Sequence, residues 1–144
     1  MSFEDTQKAL EVEFLDNWGD KSRVAMQNLA FQPDKTVEPG RDVQSAWVRF
    51  TVLQGAGEIQ GLGAATKMYR YIGMIIVSVF VVEGIGTLTS RALCDEVATL
   101  FRSKQLADEN ISCQTPSIVE VGASKGWWQV NVEIPFYWDE FTNP

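Results

Sequence analysis

The sequence contains no histidine. The side chain that most often serves as a general base and as a metal ligand is therefore missing, and neither a Ser-His-Asp nor a Cys-His nucleophile can be built. Cysteine is nearly as scarce. Cys94 and Cys113 are the only two, and they form no metal-ligand spacing. They read as reduced thiols of a cytosolic protein rather than a disulfide, with Cys94 on a helix facing the core. Positive charge is also in short supply: 19 acidic residues outnumber 12 Lys and Arg, for a formal net charge of −7. That argues against a surface that wraps nucleic acid by charge attraction, but not against a duct through which DNA passes without sticking. The longest apolar run, Tyr71 to Val82, is closed off by Arg70 and Glu83 and falls well short of the roughly 20 residues a spanning helix needs. The N-terminal MSFEDTQ has no basic region followed by an apolar run, so no secretory signal is expected. Membrane contact would come only through a partner. There is no internal repeat and no low-complexity segment.

What is present suits a folded domain. A hydrophobic share of 45% and a charged share of 22% are ordinary for a globular protein, and 144 residues can bury a substantial core. The chain is organised around KMYRYIGMIIVSVFVVE, Lys67 to Glu83. Its β-branched and aromatic residues predict a long strand at the middle of a sheet. One face carries Ile72, Met74, Ile76, Phe80 and Val82; the other carries Tyr71, Ile75, Val77, Val79 and Val81. A strand apolar on both sides needs two covering layers, and few helices are on offer. Self-association is the expected remedy.

In chain order, Ser2 with Asp5 three residues on predicts a capped helix. Its stripe is Phe3, Leu10, Phe14 and Trp18, widened by Leu15, and Gly19 ends it. Glu4, Asp5, Glu11, Glu13 and Asp16 make the rest acidic, either a solvated face or one turned to a basic partner or an acidic channel. VAMQNLAF, residues 24–31, predicts a short strand or edge segment, and a loop follows through Pro33, Pro39 and Gly40. From about Ser45 to Leu53 a strand alternates Ala46, Val48, Phe50 and Val52 with Ser45, Trp47, Arg49 and Thr51. The next stretch, QGAGEIQGLGAAT, has four glycines but neither G-x-G-x-x-G nor G-K-[ST], and it joins two strands rather than entering a helix, so phosphate binding is disfavoured. It reads as a flexible hairpin tip, or as an arm that orders against a neighbouring subunit through Ile59 and Leu62. After Gly84-Ile85-Gly86, Thr87 or Thr89 starts a second helix to about Ser103, with Leu93, Val97, Leu100 and Phe101 along one side. Residues 105–110 read as a polar loop, 111–113 as extended, and 117–123 with 127–138 as a closing hairpin.

The expected fold is α+β: one domain, residues 1–144, with a mostly antiparallel or mixed sheet of about four to five strands and two helices on one face. No catalytic constellation emerges. Asp95 and Glu96 diverge on a helix, and Asp139 and Glu140 sit near the chain end. Trp47, Trp127 and Trp128 could stack on sugars or bases, but in so acidic a chain they read as core or subunit-contact anchors.

The order of pieces resembles the tail terminator (tail completion) proteins of long-tailed bacteriophages. The matching pieces are FEDTQKALEVEFLDNW, VAMQNLAF with a Pro-containing loop, AWVRFTVLQG, a Gly-rich loop, a long apolar strand, ALCDEVATLF, and the ending GWWQVNVEIPFYW. The resemblance implies a non-enzymatic virion protein with no cofactor and no metal, made in the host cytoplasm and assembled into a homo-hexameric ring. Such a ring binds the tail tube protein at the tube end, stops its growth and offers a docking surface to neck or connector proteins, with DNA passing through its lumen. On this reading Ile59, Leu62 and one face of 75–82 (Ile75, Val77, Val79, Val81) supply subunit contacts, and Arg49, Lys67 and Arg70 meet acidic partner surfaces. A head-side connector ring is the sister alternative. A small-molecule-binding regulatory domain, with a pocket between sheet and helices, is the rival from another class.

Overall fold

The computed structural model describes residues 2–19, 21–29, 46–62, 67–84, 86–107 and 110–142, with backbone alone for 60–62 and 142. The expected loop through Pro33 and Pro39 lies outside the described residues, as does the tip at 63–66.

Helix α1 (Phe3–Trp18) begins on a reciprocal cap. Asp5 N donates to Ser2 Oγ at 3.0 Å, and Ser2 N donates to the Asp5 carboxylate at 3.2 Å. These bonds to Ser2 hold the Asp5 carboxyl below its ordinary value. Thr6, Leu10, Phe14 and Trp18, four residues apart, are buried. Gly19, at φ 61°, ends the helix in a conformation that suits glycine. Leu15, expected to widen the stripe, faces outward at 45% exposure. Helix α2 (Leu88–Phe101) buries Leu93, Cys94, Val97, Ala98, Leu100 and Phe101. Thr87 holds its N-cap position without a side-chain cap bond.

The sheet has seven described strands: β1 (Arg23–Met26), β2 (Trp47–Leu62), β3 (Lys67–Val82), β4 (Gln105–Leu106), β5 (Ile111–Cys113), β6 (Ser117–Ser124) and β7 (Trp127–Thr142). They run in the order β1-β2-β3-β7-β5-β4, with β6 also on β7. Pairing is antiparallel except for β1 on β2, and the sheet curls into a half-barrel. The fold class is thus α+β as expected, with more strands than foreseen. The additions are short: Gln105–Leu106, within the expected polar loop, folds back on Ile111–Cys113.

Register assigns the two sheet faces. Val48, Val79 and Val130 form one cross-strand row, Phe50, Val77 and Val132 the next, and Val52, Ile75 and Ile134 a third. All nine lie in the single large core with residues of both helices. Phe14 stacks on Phe50 at 4.7 Å between ring centres and faces Phe101 at 6.3 Å, tying both helices to the sheet.

This overturns one expectation. Ile75, Val77, Val79 and Val81 have 0% exposure inside the chain's own core and are not available to a neighbouring copy. Their phase of the period-2 alternation is the one the helices cover. The opposite phase, Ile72, Met74, Ile76, Phe80 and Val82, is the side that neither described helix covers.

Candidate assembly surface

The helix-free face is built from the alternate residues of β2, β3 and β7. Trp47 pairs across with Phe80, Arg49 with Ser78 and Asn131, Thr51 with Ile76 and Glu133, and Leu53 with Met74 and Pro135. At one end the face seals itself. Trp47 lies flat on Phe80 with ring centres 3.9 Å apart, Trp127 meets Trp47 edge-on at 5.9 Å, and Ala25 completes the cluster. These tryptophans are thus anchors within the protomer. The Arg49 guanidinium lies over Phe80 at 5.0 Å and Trp47 at 5.8 Å. It makes no ion pair with a described residue. Beside it, Ala25, Met26, Gln27, Asn28, Leu29, Trp47 and Thr51 line an open groove of about 420 Å³.

Toward the other end the face stays bare. Leu53 is 48% exposed, Ile72 57% and Phe141 57%. With half-buried Met74 they leave apolar surface on a protomer that covers comparable residues elsewhere.

Beyond this point β2, β3 and β7 continue outward as a three-stranded extension. Its root is packed by Trp138, fully buried, which stacks on Tyr71 at 4.6 Å, meets Phe3 edge-on at 5.3 Å and donates its Nε1 to Gln54 Oε1 at 3.2 Å. The glycines expected to make a floppy loop are in strand. A β-bulge separates Gln54 from Gly57. A Cβ at Gly57 would strike the Tyr71 ring, and one at Gly55 would come within 2.8 Å of the Ile72 carbonyl oxygen. Close packing, against the Tyr71 ring at Gly57 and against the Ile72 backbone at Gly55, accounts for glycine at these two positions.

Ile59, 55% exposed, and the exposed Lys67 belong to this extension, which brings two expected contact residues together. The Leu62 side chain lies outside the described residues. Arg70 is differently employed. It forms a forked pair with Asp139, Nε to Oδ1 at 2.8 Å and the second nitrogen to Oδ2 at 3.0 Å, and stacks over Tyr137 at 4.3 Å. The hydrogen bonds to Asp139 push the guanidinium pKa further up. An arginine so engaged clamps two strands and has little left for a partner. Leu53, Ile72, Met74 and Phe141 are surface apolar residues that the sequence reading does not single out as contacts. For Ile72 and Met74 the signal was the alternation itself, once its phase is known.

Two other surfaces are less suited to a partner. The edge strand β6 exposes Ile118, Val119 and Val121, but a bulge at Glu120 to Gly122 and an ion pair from Glu120 to Arg91 of α2 guard it against strand addition. Between the helical side and Lys21 lies an open cleft of about 260 Å³ lined by Thr89, Ala92, Leu93 and Glu96. No group of acidic or thiol side chains that could hold a metal occurs among the described residues. Burial pushes both cysteine thiols up to about 11, so neither is an activated nucleophile. No described helix is long and apolar enough to cross a membrane.

Residues 5–136 match the phage tail terminator protein family. The chain belongs to that family. A tail terminator is a structural component of the virion tail, not an enzyme, and its role lies at the end of the tail tube. Solved structures share this terminator's fold: one superposes with a TM-score of 0.67 at 19% identity, over 100% of this chain and 99% of that one. No curated protein matches the sequence significantly. A terminator acts at the end of the tail tube, so its bare sheet and strand extension are its candidate contact surfaces.

Proposed function

We propose that this terminator assembles as a hexameric ring on the last layer of the tail tube, halts tube growth and offers its opposite surface to the neck of the head. The observation that carries the reading is the unfinished sheet. One face is covered by two helices. The other leaves Leu53, Ile72 and Phe141 about half exposed, and the three-stranded extension beyond it presents Ile59. Surface of this kind is stable in water once another protein covers it. Ile59, Leu62 and Lys67 in the extension reach a neighbouring subunit or the tube protein, and Arg49 meets an acidic surface. Arg70 and the 75–82 core face take no part. The net charge of −7 lets DNA pass the lumen without being held.

The test is polymerisation of purified tube protein with and without this chain, followed by electron microscopy. Six-fold rings at tube ends and shortened tubes are the expected result. Tubes of unchanged length with bare ends would refute the reading, and co-purification with capsids but not tails would move the protein to the head side.

A further inference from the structure

The ring reading leaves open which surfaces meet. Two pairs of charges suggest the answer, and the inference rests on that reading. Along the outside of α1, Lys8, Val12 and Asp16 are exposed in a row at four-residue spacing, with Leu15 beside them. On the helix-free face of the sheet, Arg49 lies on β2 and Glu133 on β7, with Ser78 and Ile76 of β3 between them. None of the four charged residues makes an ion pair with a described residue, whereas Glu13, Lys104, Arg70 and Asp139 are paired.

The spans agree. Eight residues of helix put Lys8 and Asp16 about 12 Å apart along the axis. Two strand spacings and two residues along β7 put Arg49 and Glu133 about 12 Å apart. The charges are opposite in sign at both ends; exposed Val12 lies between the helix pair, and half-buried Ile76 with buried Ser78 lies between the sheet pair. We propose that α1 of one copy docks across the sheet face of the next that neither described helix covers, beside its sealed Trp47–Phe80 end, Asp16 on Arg49 and Lys8 on Glu133. The helix layer and this sheet face lie on opposite sides of the protomer, so the contact is heterologous and propagates around a ring. It also gives α1, with five acidic residues against one basic, a cation to face.

The experiment uses two full-length variants, R49E and D16K, with tube protein, and measures the protein concentration that half-fills tube ends. Each variant alone sets like charges against each other at every interface, and the concentration should rise at least about tenfold. In an equimolar mixture each variant's altered face meets the other's complementary one, and an even-membered ring can alternate them. Occupancy should return to within about twofold of the unaltered chain. Circular dichroism confirms folding of each variant separately. If either variant alone occupies tube ends normally, or if the mixture fails as both variants alone do, the docking is wrong although the ring stands. If the unaltered chain itself never occupies tube ends, the ring reading fails first.

Discussion

Replacing Trp138 by alanine tests how the strand extension is anchored. Trp138 is fully buried at its root, sandwiched by Tyr71 and Phe3 and bonded to Gln54. Truncating a buried tryptophan typically costs about 3–5 kcal/mol through lost burial and the cavity left behind. Lost ring contacts with Tyr71 and Phe3 belong to that figure, and an unmet Gln54 carbonyl adds about 1 kcal/mol. A loss of about 4–6 kcal/mol is a large part of the roughly 5–15 kcal/mol that holds such a domain folded, and it lowers the melting temperature by about 13–20 °C. Urea denaturation followed by far-UV circular dichroism measures the total. Hydrogen exchange locates it: amides of 54–59 and 67–71 should lose protection more than those of Val48 and Phe50. A total below about 1.5 kcal/mol, or a loss spread evenly over the sheet, would refute the anchoring argument.

Three further outcomes are expected. Gly73→Ala should destabilise by about 1–3 kcal/mol, since a Cβ there strikes the Phe136 ring and approaches the Leu53 carbonyl oxygen at 2.7 Å; thermal melts of the two chains check this. Arg70→Ala, which leaves the partly buried Asp139 without its fork, should cost about 1–2 kcal/mol, with local exchange faster in 139–141; an unchanged exchange pattern would show the clamp to be idle. Cys94 and Cys113 titrate near 11 when folded, because of burial, against about 8.5 when unfolded. Their raised values mean that their stabilisation is complete below about pH 8.5 and is lost as pH climbs toward 11. A C94A/C113A chain should show a shallower fall in urea midpoint from pH 8 to 10.5, and native thiols should resist a thiol reagent at pH 8 until the chain unfolds.

Much of this was legible in the residues. The Ser2 to Asp5 cap, the Leu10, Phe14, Trp18 stripe and the alternation of Trp127 to Trp138 are local patterns whose period alone identifies the element. Other features depend on partners distant in the chain. Gly55 and Gly57 looked like a loose loop because glycine signals both turns and close approach, and only the neighbouring Tyr71 and Ile72 decide between them. Arg70 looked like a free surface cation because Asp139 is 69 residues away. The polar run after Lys104 hid a short pair of strands because so few residues carry no period.

By itself, the sequence determined that this protein has no histidine-based chemistry, that it is an α+β domain, and that its central strand is greasy on both sides, since composition and period are properties of the chain alone. Which of those two sides stays bare was decided by the tertiary structure. Both helices settle over Ile75, Val77, Val79 and Val81, and the strands bring Arg49 and Glu133 together on the other face. A strand's alternation defines two faces but not which one the rest of the molecule will cover, because that depends on where the helices come to rest.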